Sequence, residues 1–205
     1  HETDTQIAHL TTGATPQTLP YQISFTRVLL MMVMSYGLYL FYWFYLTWKQ
    51  YRDHTRAEVY PIWHALTLFV PIYSLFRTHA HMHSFKELML NAGLSTNLSV
   101  GGAVLLMLSY WVVSVIGLAI TWAGGGFSGE LSQAAALAST VTGLIGIAVL
   151  AWLVSYVQEN LNLYWASLAN MRAVNAKIGI GEVVFVLLGL ISWGFTLADL
   201  VRPPV

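Results

Sequence analysis

Apolar residues run in long unbroken blocks along this chain, and polar residues gather between them. Four blocks are long enough to cross a bilayer as helices: Val28–Trp48, Val100–Ala123, Ala134–Val157 and Val183–Val201, the last carrying only Asp199 near its end. The first holds 21 residues without a charge, which as a helix reach roughly 32 Å against a hydrocarbon core of about 30 Å. A fifth block, Val59–Phe76, contains Pro61, Pro71 and His64, and Pro71 would remove a helix hydrogen bond near its middle. Lysine and arginine choose between a crossing and a dip, because they concentrate on the cytoplasmic side. If Val59–Phe76 crosses, they divide four to five. If it dips and returns, Lys49, Arg52, Arg56, Arg77, Lys86, Arg172 and Lys177 share one side, seven against Arg27 and Arg202. The pattern predicts an all-α membrane protein with about four transmembrane helices, a re-entrant or interfacial helical segment at Val59–Phe76, and both termini outside. Residues 1–24 read as a polar, Thr-rich N-terminal tail without the apolar h-region of a signal peptide. Residues 25–205 read as a single helical transmembrane domain.

Composition removes other classes. Of 205 residues, 57% are hydrophobic and 9% charged, where a soluble domain carries about 25% charged residues; a soluble enzyme is excluded. Nine basic residues balance nine acidic ones, so there is no electrostatic footprint for nucleic acid. The absence of cysteine excludes disulfides, Fe–S clusters and thiolate-bound zinc.

Five aromatic residues, Tyr39, Tyr42, Trp43, Tyr45 and Trp48, crowd the end of the first block just before Lys49. Amphipathic rings followed by a basic residue mark a membrane–water interface, so they are expected as interface anchors among membrane lipids. His79 and His83 stand one helical turn apart and could share a metal; the alternative is the polar face of an interfacial amphipathic helix. Glu87 lies eight residues from His79, about 12 Å along a helix, too far to join both at ligand distance. His64 is an ionisable group inside an apolar segment and could bind a haem or chlorophyll-type metal. A bis-histidine haem would need a second intramembrane histidine, which none of the four blocks supplies, so no cofactor is predicted. Glu182 opens the last block, where a helix N-terminus favours a carboxylate, and Asp199 and Arg202 are spaced to pair at its end. Small residues Ala135, Ser139 and Gly143 recur at four-residue spacing, the signature of close helix packing in lipid.

The stretch Tyr36–Arg52 (YGLYLFYWFYLTWKQYR), the later VYPIWHALTLFVPIYSLF and Val157–Trp165 (VQENLNLYW) together resemble a family of uncharacterised bacterial integral-membrane proteins. The resemblance covers most of residues 30–200. It implies a multi-pass protein of the cytoplasmic (inner) membrane of a prokaryote and brings no known activity. The histidine cluster lies outside the shared pattern.

With no complete reactive or ion-conducting constellation, the sequence points to a non-catalytic accessory or scaffold subunit. It would pack against other integral membrane subunits through the Ala135–Ser139–Gly143 ridge. The alternatives are a small transporter or channel component and a cofactor- or metal-binding membrane enzyme subunit.

Overall fold

The first apolar block is not one helix. In this computed structural model, which describes residues 17–126, 131–169 and 171–201, the block ends one helix at Met34 and starts another at Tyr39. The described elements run in the order β1 (Gln17–Gln22), α1 (Phe25–Met34), α2 (Tyr39–Thr55), α3 (Pro61–Leu66) with a 3-10 turn (Thr67–Phe69), α4 (Pro71–Asn91), α5 (Val100–Ala123), α6 (Gln133–Ser167), β2 (Met171–Asn175) and α7 (Ile180–Val201). The expected all-helical architecture holds, apart from one two-stranded parallel sheet formed by β1 and β2. The segment expected as a polar tail thus contributes a strand, while residues 1–16 lie outside the described part.

Backbone geometry at the break explains the reversal. Tyr36 and Gly37 both adopt left-handed conformations, with φ of 57° and 84°. Glycine takes this freely, whereas tyrosine is destabilised there by about 1 kcal/mol. The Gly37 N–H donates back to Met32 O at 2.8 Å, the bond that closes a Schellman-type helix end. The Ser35 hydroxyl then accepts from the Tyr39 N–H at 2.8 Å and opens α2. Long-range contacts fix the direction of the two helices. Gln50 donates to Tyr21 O, the Ile23 backbone and Trp43 both bond to the end of α6, and Arg27 and Tyr42 both meet the start of α7. Residues before α1 therefore lie level with residues late in α2. The pair forms an antiparallel hairpin with its tip at Ser35–Leu38, which corrects the expected single crossing at Val28–Trp48.

The fifth block makes a second hairpin. Trp48 touches His64, and Phe41 stacks on Phe69 at 4.0 Å, so α3 and its 3-10 turn run antiparallel to α2. His81 touches Trp48, and Phe85 touches Tyr51, so α4 runs parallel to α2 and the chain reverses at Val70–Pro71. The two prolines fall at the N-terminal turns of α3 and α4, where a missing N–H removes no helix bond. Both hairpins start from the end of the molecule that holds the strands, here the strand end.

Among the described residues three helices, α5, α6 and α7, are long and apolar enough to cross a membrane. Helices α5 and α6 are capped at their starts by Ser99 and Ser132. They run antiparallel, with Gly117 against Thr142, Gly146 against Tyr110 and Ser99 bonded to Tyr156. Much of their outward surface is large and apolar, as on Leu105, Val115, Leu118, Trp122, Leu187 and Phe195, a surface suited to lipid. The last part of α6 runs on beyond its apolar stretch into the strand end, where Leu161 and Trp165 are fully buried. Here Trp43 donates to Gln158 (2.7 Å), Gln158 donates to Asn162 (2.8 Å), and Asn162 both donates to and accepts from the Ile23 backbone. The aromatic residues expected as lipid anchors sit largely inside: Tyr39, Trp43 and Trp48 are core residues, and Tyr42 and Tyr45 are half-buried against it. Their apolar faces find neighbouring helices instead of headgroups, because the hairpin folds them inward.

Helix α7 is mostly exposed, and its contacts with the first hairpin include two especially close ones. Arg27 pairs with the fully buried Glu182 at 2.6 Å, and its guanidinium also donates to Ala176 O and Lys177 O. Further along, Gly189 lies directly on the Ser35 backbone, where a Cβ would collide. We expect Glu182→Gln to cost about 3 kcal/mol by leaving the Arg27 guanidinium without its counter-charge. Gly189→Val should cost about 2 kcal/mol by overpacking. Unfolding of both variants in detergent checks this, with Gly194→Val as a control because Gly194 has open space around it.

Candidate functional site

Because the first hairpin turns back halfway along the long helices, the remaining space between α5, α6 and α7 is unfilled. A cavity of about 390 Å³ occupies it. Its floor is the tip, Tyr36, Gly37 and Leu38, and it extends to Thr121, Ala136 and Asp199 near the far ends of the three helices. Irregular backbone at membrane depth is tolerated where it is buried in protein or lines a water-filled cavity. Here it does both.

The walls are polar for their depth. Hydroxyls come from Ser114 and Thr121 on α5, Ser139, Thr140 and Thr142 on α6, and Thr196 on α7. No lysine, arginine or histidine is among the described lining residues. The Tyr36 ring stands edge-on to Trp193 at 4.9 Å, and its hydroxyl lies 3.3 Å from that of Thr196. Opposite, Gly143 leaves room for that hydroxyl: a Cβ there would sit 3.1 Å from it. The cavity could hold a small polar ligand with several waters.

The expected packing ridge is used within the chain. Ala135 lies against Gly124, Gly143 faces Tyr36, and Ser139 lines the cavity. The neighbours of this face are the chain's own first hairpin and the turn after α5. Asp199 lies on the cavity wall; Arg202 falls outside the described residues. Glu182 does open the last helix, and it accepts from the Gly179 N–H at 2.9 Å.

The histidines divide differently from their spacing. The rings of His79 and His83 are 5.9 Å apart, with both residues exposed, and His83 lies 3.3 Å from Glu87. Among the described residues no group of three or more histidine, aspartate or glutamate side chains is placed to hold a metal. His64 is half-buried and edge-on to Trp48 at 4.6 Å. Also edge-on to Trp48, at 5.2 Å, is His81, which is fully buried. The spacing argument passed over His81. Its Nε2 lies 2.8 Å from the Thr47 hydroxyl, which itself donates to Trp43 O at 2.8 Å. With Thr47 donating to Trp43 O, this geometry favours the proton on Nε2. Nδ1 of both histidines, the Trp48 indole N–H and the Thr78 hydroxyl have no hydrogen-bond partner among the described residues. The alternation of residues on α4 could have pointed to His81, since it stands with Met82, Phe85 and Met89 among the buried positions.

No family model matches the chain, and no curated protein or solved structure matches it either.

At the strand end, His54 bonds Tyr164 at 2.8 Å and stands edge-on to Trp165. Burial lowers its pKa, so in the native state it resists the proton that the unfolded chain accepts near pH 6.5. Stability contributed by this difference is present above that pH and declines as pH falls below it. Unfolding midpoints measured from pH 7.5 to 5 should fall less steeply for His54→Asn than for the parent protein.

Proposed function

We propose that the chain is a small transporter or channel component of a prokaryotic cytoplasmic membrane, taking a small polar solute into the cavity from the outer face. In this reading α5, α6 and α7 cross the membrane, and both hairpins dip into it from the cytoplasmic side. The observation that carries it is the broken helix: a reversed backbone at mid-depth forms the floor of a hydroxyl-lined cavity, as discontinuous helices do at transporter binding sites. Charge supports the orientation. With the first hairpin returning to its starting side, Arg27, Lys49, Arg52, Arg56, Arg77, Lys86, Arg172 and Lys177 share the strand-end side, eight against Arg27's former companion Arg202. That bias exceeds the seven-to-two division of the four-crossing arrangement, and it favours a cytoplasmic strand end. The prokaryotic location rests on the sequence resemblance.

An accessory or scaffold role remains the second reading. It is favoured by the second hairpin, which exposes Ile62, Trp63, Phe69, Ile72, Tyr73 and Phe76, an apolar face that a neighbouring membrane subunit could cover.

Single cysteines at Thr18, Arg56, Ser95 and Ser132 test the topology with a membrane-impermeant maleimide added outside. Only Ser132→Cys should label. Outside labelling of Thr18→Cys would restore a crossing through the first block. Cavity use is tested in proteoliposomes by solute flux with the parent protein and Ser139→Phe, which fills the cavity. We expect flux to be lost in the variant while its fold and detergent monodispersity persist. Equal flux in both would overturn the cavity reading and leave the scaffold role.

A further inference from the structure

The walls of the cavity carry more information than their polarity. A hydroxyl has one proton to give and two lone pairs to offer. Along these walls every one of six helix hydroxyls directs its proton to its own helix: Ser114 to Tyr110 O, Thr121 to Gly117 O, Ser139 and Thr140 to Ala136 O, Thr142 to Ser139 O, and Thr196 to Ser192 O, at 2.8–3.1 Å. The Thr196 hydroxyl is also within donating reach of the Tyr36 hydroxyl, at 3.3 Å. These oxygens can accept from the cavity side through their remaining lone pairs. The one full charge among the described lining residues is the Asp199 carboxylate, and no basic side chain is among them.

We propose that the cavity binds a small monovalent cation, an alkali-metal ion or ammonium, held by hydroxyl oxygens and water. This rests on reading the cavity as the solute site and specifies the solute. Anions are disfavoured because the described lining has no basic side chain and carries a carboxylate. Divalent ions are disfavoured because hard divalent cations gather several carboxylates, whereas this lining has one. The acceptor set carries the inference, and Asp199 raises affinity at the rim.

Binding is measured directly on the full chain in detergent with radioactive sodium and rubidium. Competition by sodium, potassium, ammonium, calcium and N-methyl-glucamine chlorides is measured at constant ionic strength. We expect saturable binding displaced by at least one small monovalent cation, and not by N-methyl-glucamine or equimolar calcium. Thr140→Val keeps shape and removes the lone pairs, and should weaken binding about tenfold, equivalent to about 1.4 kcal/mol. Thr140→Ser should restore it. Asp199→Asn should weaken binding without changing which cation competes best. Absence of saturable binding in the folded parent protein, or binding indifferent to Thr140→Val with its fold intact, overturns the proposal. Proteoliposome flux separates the two readings. Neutral-solute flux blocked by Ser139→Phe but independent of cations sinks the cation proposal alone. Cation binding without any flux sinks the transport reading alone.

Discussion

A helix that reverses inside a membrane protein must satisfy its freed backbone groups without bulk water, and the turn at Ser35–Leu38 governs the rest of this structure. Its N–H groups turn back on α1, the Ser35 hydroxyl bridges to Tyr39, and the Trp193 indole donates to Val33 O at 2.7 Å. Gly189 lets α7 lie on the turn itself. A tip so completely satisfied can end at mid-depth. Once it ends there, the helices around it enclose space beyond it, and the cavity is the geometric consequence.

The strand end holds that tip in place. A turn with two left-handed residues is locally unfavourable, so the legs of the hairpin must be fixed by tertiary contacts. One leg is tied by Asn162 to the Ile23 backbone and by Arg27 to Glu182; the other is tied by Trp43 to Gln158 and by Gln50 to Tyr21 O. The ties through Asn162 and Gln158 converge on α6, whose 35 residues make it the element common to the cavity wall and the strand-end core. The buried Arg27–Glu182 pair has the extra hydrogen bonds that compensate for desolvation, from Gly179 N–H to the carboxylate and from the guanidinium to two carbonyls. A displacement of the strand end would therefore reach the cavity floor through rigid helix.

Hydropathy made the three long helices legible, because length and apolarity are properties of single segments. It could not distinguish the first block from a crossing. A hydropathy window averages over Ser35–Tyr36–Gly37, and nothing in it records φ. Charge carried the missing signal: Arg27 stood apart from seven other basic residues, and moving it to their side requires the block to fold back. The aromatic residues before Lys49 were legible as amphipathic but not as buried, since burial depends on α4 and α6 arriving from far along the chain. The face containing Ser139 and Gly143 was legible as a close-packing face. That part of it borders a cavity depends on where the first hairpin stops, which no local pattern encodes. His81 was hidden for a similar reason: its value comes from Trp48 and Thr47 across the helix interface, whereas His79 and His83 drew notice through their spacing on an exposed face.

Under the proposed transport reading, the chemistry of the walls fits conduction better than tight storage. Hydroxyls bonded to their own helices need no ligand to be satisfied, so the cavity is stable whether a solute is present or absent. In that reading a solute gains mostly lone-pair contacts and keeps part of its hydration, which would make entry favourable and departure easy. Passage requires this balance, whereas a site built to retain an ion would place several full charges around it. Glycines at positions 117, 143 and 146 bring the walls within van der Waals reach of hydroxyl and ring, narrowing the space without adding apolar bulk. The same small residues that permit helix packing in lipid here set the width of a polar path.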